Sequence, residues 1–110
     1  MAETGNIFAR AEPDPARERF ETLLAAPGLK IERIVSRGQS SPPGFWYDQP
    51  EGEWVLLLSG AATLEFEGVA APHRMAPGDY VWIPPRRRHR VAATAADQVT
   101  IWLAVHHGAD

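Results

Sequence analysis

The sequence predicts an all-β sandwich or barrel led by one short helix. Short alternating or apolar runs recur with turn signals every 8–12 residues. Ten prolines and nine glycines in 110 residues supply the punctuation between them. The period of the apolar pattern changes from helical to alternating at Pro27-Gly28.

Residues 1–12 are polar and aperiodic and are expected to be unstructured, leaving 13–110 as a single domain. Asp14-Pro15 has the chemistry of a helix start, an acceptor for free amides followed by a ring suited to the first helical position. Phe20, Leu23 and Leu24 stand at i, i+3 and i+4, so a helix is expected over residues 15–26, stopped by Pro27-Gly28. Strands are then expected at Leu29–Val35, Phe45–Gln49, Glu53–Leu58, Ala62–Glu67, Val69–Met75, Tyr80–Ile83, Arg88–Thr94 and Val99–Val105. Pro50-Glu51-Gly52, Gly60, Gly68 and Pro77-Gly78-Asp79 turn the chain between them.

Hydrophobic residues make up 45% and charged residues 23%, which is ordinary for a folded chain. A net charge of −3 argues against a general nucleic-acid binder. The absence of cysteine removes disulfides, thiolate catalysis and thiolate-ligated metals. No apolar run approaches the ~20 residues of a membrane span. The first ten residues lack the basic start and apolar run of a signal peptide, which predicts a cytoplasmic location. Trp54, Leu56 and Leu58 alternate with Val55 and Leu57, and Ile101, Leu103 and Val105 with Trp102 and Ala104. Both faces of these strands need cover, so the helix or the second subunit of a homodimer is expected on the outer face.

Two stretches carry a family resemblance. Glu53, six intervening residues and Gly60 match the second half of the motif G-x5-H-x-H-x3,4-E-x6-G, with Gly38 a loose match for its start. Gly78, five residues, Pro84 and His89 match G-x5-P-x-G-x2-H-x3-N, with Arg86 at its second glycine and Ala93 at its asparagine. Over Leu29–Val105 the chain resembles a cupin, which implies a double-stranded β-helix barrel of jelly-roll type. The resemblance further implies a divalent metal held by three histidines and the motif glutamate. Here the spacing places either Trp46 and Asp48, or Tyr47 and Gln49, at the first two histidines.

The metal candidates are therefore Glu53, His89 and the substitute Asp48, suited to iron, manganese, nickel or zinc. The bland alternative is a buried Glu53–His89 hydrogen bond in a barrel without metal, and a turn role for Asp48 beside Pro50. Alternation turns His89 and Val91 inward and Arg88 and Arg90 to solvent. Trp46, Tyr47 and Trp102 are candidate ligand-binding residues, although core packing is the usual fate of such rings. Arg86 to Arg88 reads as a solvated run, with Arg87 as a candidate to hold a carboxylate at the pocket rim. His106 shares a face with Trp102, while its strand-end position favours exposure. Two functions follow: a small-molecule-binding cupin with a modified metal site, acting as an enzyme on a small oxygenated substrate, or a metal-free module binding a sugar or aromatic acid.

Overall fold

A computed structural model describes residues 2–108. Met1, within the stretch expected to be unstructured, and Ala109 and Asp110, at the end of the expected domain, lie outside the described residues. Eight strands form: β1 (Arg19–Ala26), β2 (Leu29–Ser36), β3 (Gly52–Ser59), β4 (Ala62–Phe66), β5 (His73–Met75), β6 (Tyr80–Ile83), β7 (His89–Thr94) and β8 (Thr100–His107). They make two antiparallel sheets, β1-β2-β8-β3-β6 and β5-β4-β7. Val55, Leu57, Leu64, Met75, Ile83 and Trp102 fill the space between the sheets.

The expected helix over residues 15–26 does not form. Asp14 Oδ1 does accept from the Ala16 amide at 2.8 Å, but the chain leaves this turn as a strand. β1 pairs with β2 around the two-residue loop Pro27-Gly28, where Gly28 takes a φ of 69°. A bulge between Thr22 and Leu24 breaks the alternation, so that Phe20 lies opposite Ile34 and Leu24 opposite Ile31, on different faces. A bulged strand thereby reproduces helical spacing, and the hydrogen bonds of the β2 edge decide between the two. The Phe45–Gln49 strand reduces to one bridge, with the Tyr47 amide on the His89 carbonyl at 2.7 Å and the reverse bond at 3.2 Å.

The two glycines of the motif halves have separate physical reasons. A Cβ on Gly60 would stand 2.2 Å from Thr100 Oγ1, and its φ is 86°. Gly78 has open space but a φ of 93°, and its amide donates to the Leu57 carbonyl at 2.8 Å. Both turns hold β3 in register, and β3 carries Glu53.

Outside the sandwich, the N-terminal segment lies against the five-stranded sheet. Carbonyls of Ile7, Ala9 and Arg10 accept from the buried Arg33 guanidinium at 3.0, 2.6 and 3.2 Å. Further along this face Tyr80 and Trp82 are exposed, with Trp54 5.6 Å from the Tyr80 ring. Among the described residues no helix is long and apolar enough to cross a membrane.

Candidate functional site

A cavity of about 80 Å³ lies between the sheets. Its floor is apolar, formed by Ile34, Val55, Leu64, Ile83, Val91 and Trp102. Its polar end gathers Glu18, Glu32, Glu53, His89 and His106, with Tyr47 and Gln49 beside them and Phe20 at the mouth. A wider recess of about 450 Å³ shares Glu32, Gln49 and His106 with it and runs out past Lys30, Glu51 and His107.

Strand alternation explains the convergence. On β3, Glu53, Val55 and Leu57 turn inward; on β8, Trp102, Ala104 and His106 meet them across the register pairs Leu57–Trp102, Val55–Ala104 and Glu53–His106. On β2, Glu32 and Ile34 share that face. His89 begins β7 on the opposite sheet and is 5% exposed.

The protons of the site can be assigned from the partners. His89 Nδ1 is 2.8 Å from the Arg87 carbonyl, which only accepts, so Nδ1 carries the hydrogen. Nε2 then faces Glu53 Oε1 at 3.5 Å, beyond hydrogen-bond reach. His106 Nε2 donates to Glu32 Oε1 at 2.8 Å. That bond holds the His106 pKa above its ordinary value and the Glu32 pKa below its own, each group favouring the charged form of the other. His106 Nε2 is 4.0 Å from Glu53 Oε2, and its buried Nδ1 has no hydrogen-bond partner. Burial raises the pKa of Glu18, which accepts a short hydrogen bond from Ser36 Oγ; that hydroxyl accepts in turn from Trp102 Nε1 at 3.2 Å.

Of the two alignments open in the sequence, Tyr47 and Gln49 line the cavity and Trp46 and Asp48 do not. The Tyr47 ring stacks 5.5 Å from His89, and the Arg86 amide ties the segment down through the Gln49 carbonyl at 2.7 Å. Asp48 is exposed and faces Arg86 Nη1 at 3.4 Å. Arg87 turns its guanidinium over the Phe66 ring at 5.2 Å and donates to the Glu67 carbonyl. Only its backbone oxygen serves the site. Trp102 lines the cavity, and His106 reaches it rather than solvent. Glu18 and Glu32 escaped the sequence reading. An inward Glu32 was available from alternation with Ile34, but Glu18 could not be placed without β1.

Two protein donors converge as metal ligands would, Glu53 and His89. The orientation of His89 suits ligation, because its far nitrogen is anchored on a carbonyl and Nε2 is left free. The third donor is missing: His106 Nε2 holds its proton for Glu32, and Tyr47 and Gln49 stand at the motif's histidine positions. Among the described residues no group of three or more His, Asp or Glu side chains could hold a metal ion.

This arrangement is a small β-barrel with an internal site between its two sheets. Residues 33–106 match the cupin domain family, and the chain belongs to it. A Ralstonia eutropha structure under the provisional name mannose-6-phosphate isomerase is 52% identical, covers 98% of this chain and 100% of its own, and has a TM-score of 0.94. An RmlC-like cupin with a double-stranded β-helix fold from Methanocaldococcus jannaschii is 21% identical over 97% of this chain and 92% of its own, with a TM-score of 0.71. A Thermus thermophilus protein is 15% identical over 96% and 97%, with a TM-score of 0.80. No curated protein matches the chain.

Proposed function

We propose that this cupin binds a small molecule in the cavity between its sheets, with the ligand's polar end against Glu53, His89 and the His106–Glu32 pair. The observation that carries this is Glu53. It is 8% exposed, its nearest partners are His89 at 3.5 Å and His106 at 4.0 Å, and no hydrogen bond reaches its carboxylate among the described residues. A buried carboxylate without such a bond is costly to maintain. A ligand completing the cluster removes that cost, while the apolar floor takes the ligand's body. The test is a panel of small neutral, anionic and cationic compounds, read by the Trp102 indole resonance in NMR. Specific saturable shifts are expected, and their absence across the panel would refute the reading.

The free Nε2 of His89 favours a second reading, in which Glu53 and His89 hold a divalent ion that polarises a bound oxygen. Stoichiometric iron, manganese, nickel or zinc in protein purified without an affinity tag would replace the first reading by this one.

We further propose that a second copy covers the outer face, where Tyr80 and Trp82 are exposed and Trp54 and Leu56 half-buried. Sedimentation equilibrium at micromolar concentration is expected to give twice the chain mass of 12.1 kDa. A single 12.1 kDa species refutes the dimer.

A further inference from the structure

Resting on the reading of the cavity as a ligand site, we propose that its ligand is a small organic cation, an ammonium group on a short apolar body. The sign of the site points there. Glu18, Glu32 and Glu53 all line the cavity, and no lysine or arginine does among the described lining residues. His106 is hydrogen-bonded to Glu32 and lies 4.0 Å from Glu53 Oε2, while the other Glu32 oxygen faces Lys30 on the recess side at 3.4 Å. Glu18 takes one hydrogen bond from Ser36, and Glu53 takes none. Negative charge is left over at the polar end.

The three carboxylates share one space. The Tyr47 phenol, lifted first by burial, is raised further by Glu18, Glu53 and Glu32 together. An ammonium entering beside Tyr47 therefore meets the field of all three and gives Glu53 the charge-assisted bond it lacks. The Tyr47, Phe20 and Trp102 rings add faces against which a cation is attracted. A phosphate, as carried by the sugar in the Ralstonia relative's provisional name, would enter the same cluster of carboxylates without a cationic clamp.

The test uses the full chain and four probes: n-butylammonium, 1-butanol, butyrate and inorganic phosphate. Each is titrated against the Trp102 indole and His89 ring resonances. Butylammonium is expected to bind about tenfold or more tightly than its neutral isostere butanol, the gain of a hydrogen bond to a charged group. Butyrate and phosphate are expected to leave the resonances unmoved. Glu53→Gln should remove that tenfold preference and keep butanol affinity, which also reports an intact fold. Glu18→Gln provides a second variant, with a smaller loss of the same kind. Equal affinity for butanol and butylammonium, or tighter binding of either anion, would overturn the cation while leaving the cavity a ligand site. Manganese that broadens these resonances when butylammonium does not shift them would overturn it in favour of a metal. If no probe moves them in the folded protein, the ligand-site reading falls with it.

Discussion

Glu32 and Arg33 are neighbours in β2, both buried, at 6% and 5% exposure. Alternation sends them to opposite faces of the sheet, and there their circumstances diverge. Arg33 meets three backbone carbonyls and both oxygens of Glu21, the latter at 2.7 and 2.9 Å. Glu32 has His106 and, at the recess, Lys30, and beyond them lies Glu53 with no hydrogen bond at all. One buried charge is gripped through both terminal guanidinium nitrogens by its own chain, with Nε alone left without a partner, and fastens the N-terminal segment to the sheet. The other belongs to a cluster left open on the side of the cavity. Burial alone does not separate a structural charge from a functional one; the filling of its partners does.

The largest expected effect falls on the closed side. Arg33→Ala leaves three carbonyls without their donor and Glu21 with Arg19 as its one remaining partner, and is expected to cost about 3 kcal/mol in urea denaturation. The figure sits at the low end for a broken buried pair because the Glu21 side chain is 33% exposed. The cavity resonances should be unchanged. A loss under about 1 kcal/mol would mean that Arg33 is not the fastening.

On the open side the His106–Glu32 pair comes next. His106→Leu is expected to lose about 2 kcal/mol at pH 5.5, as befits a hydrogen bond between charged groups. The pH dependence has a definite sign. His106 has its pKa raised from 6.5, so its contribution is complete below 6.5 and disappears as pH rises through the folded value. Glu32 has its pKa lowered from 4.5, so its contribution is complete above 4.5 and disappears as pH falls through the folded value. Stability from the pair should therefore be greatest between pH 4.5 and 6.5. Glu18, raised from 4.5 by burial, also loses stability as pH rises, so the His106→Leu difference curve is the quantity to measure. A difference that grows above pH 8 would contradict the His106–Glu32 pairing.

Glu53→Gln should have still less effect on the free protein, within about 1 kcal/mol, because it breaks no hydrogen bond and removes a buried charge. A loss as large as that of Arg33→Ala would abolish the distinction between closed and open sides. It would make Glu53 a structural residue.

The legible parts of this protein are those fixed by local spacing. Gly60 and Gly78 mark turns that only positive φ or missing side-chain volume permits, and Glu53 and His89 follow from the motif spacing around them. The helix misreading came from a bulge, since Phe20, Leu23 and Leu24 satisfy a helical stripe equally well. Its consequence spread to the site: without β1 there is no wall to bring Glu18 and Phe20 to the cavity. The same limit applies to Trp46 against Tyr47. One residue of register decides which ring faces inward, and the Tyr47–His89 bridge that sets it joins positions far apart in the chain.

The smallest expected effect extends the comparison to a charge in solvent. Arg86 stands where the second motif has glycine and adopts a φ of 62°, a region that costs a side-chain-bearing residue about 1 kcal/mol. Its charge faces Asp48 at 3.4 Å, but the two side chains are 66% and 45% exposed, so the pair contributes little. If partner filling and burial together decide what a charge does, Arg86 acts through its backbone alone. Its amide bonds the Gln49 carbonyl and so holds the segment that aims Tyr47 inward. Arg86→Gly keeps that amide and relieves the strained φ, at some entropic cost from a freer unfolded chain. The net result is expected to be a gain of about 0.5 kcal/mol, with the Tyr47 and His89 resonances unmoved. Arg86→Ala, which deletes the charge and keeps the strain, should leave stability unchanged. A loss in Arg86→Ala comparable to the gain in Arg86→Gly would mean that the ion pair with Asp48, and not the backbone, fixes this edge of the cavity.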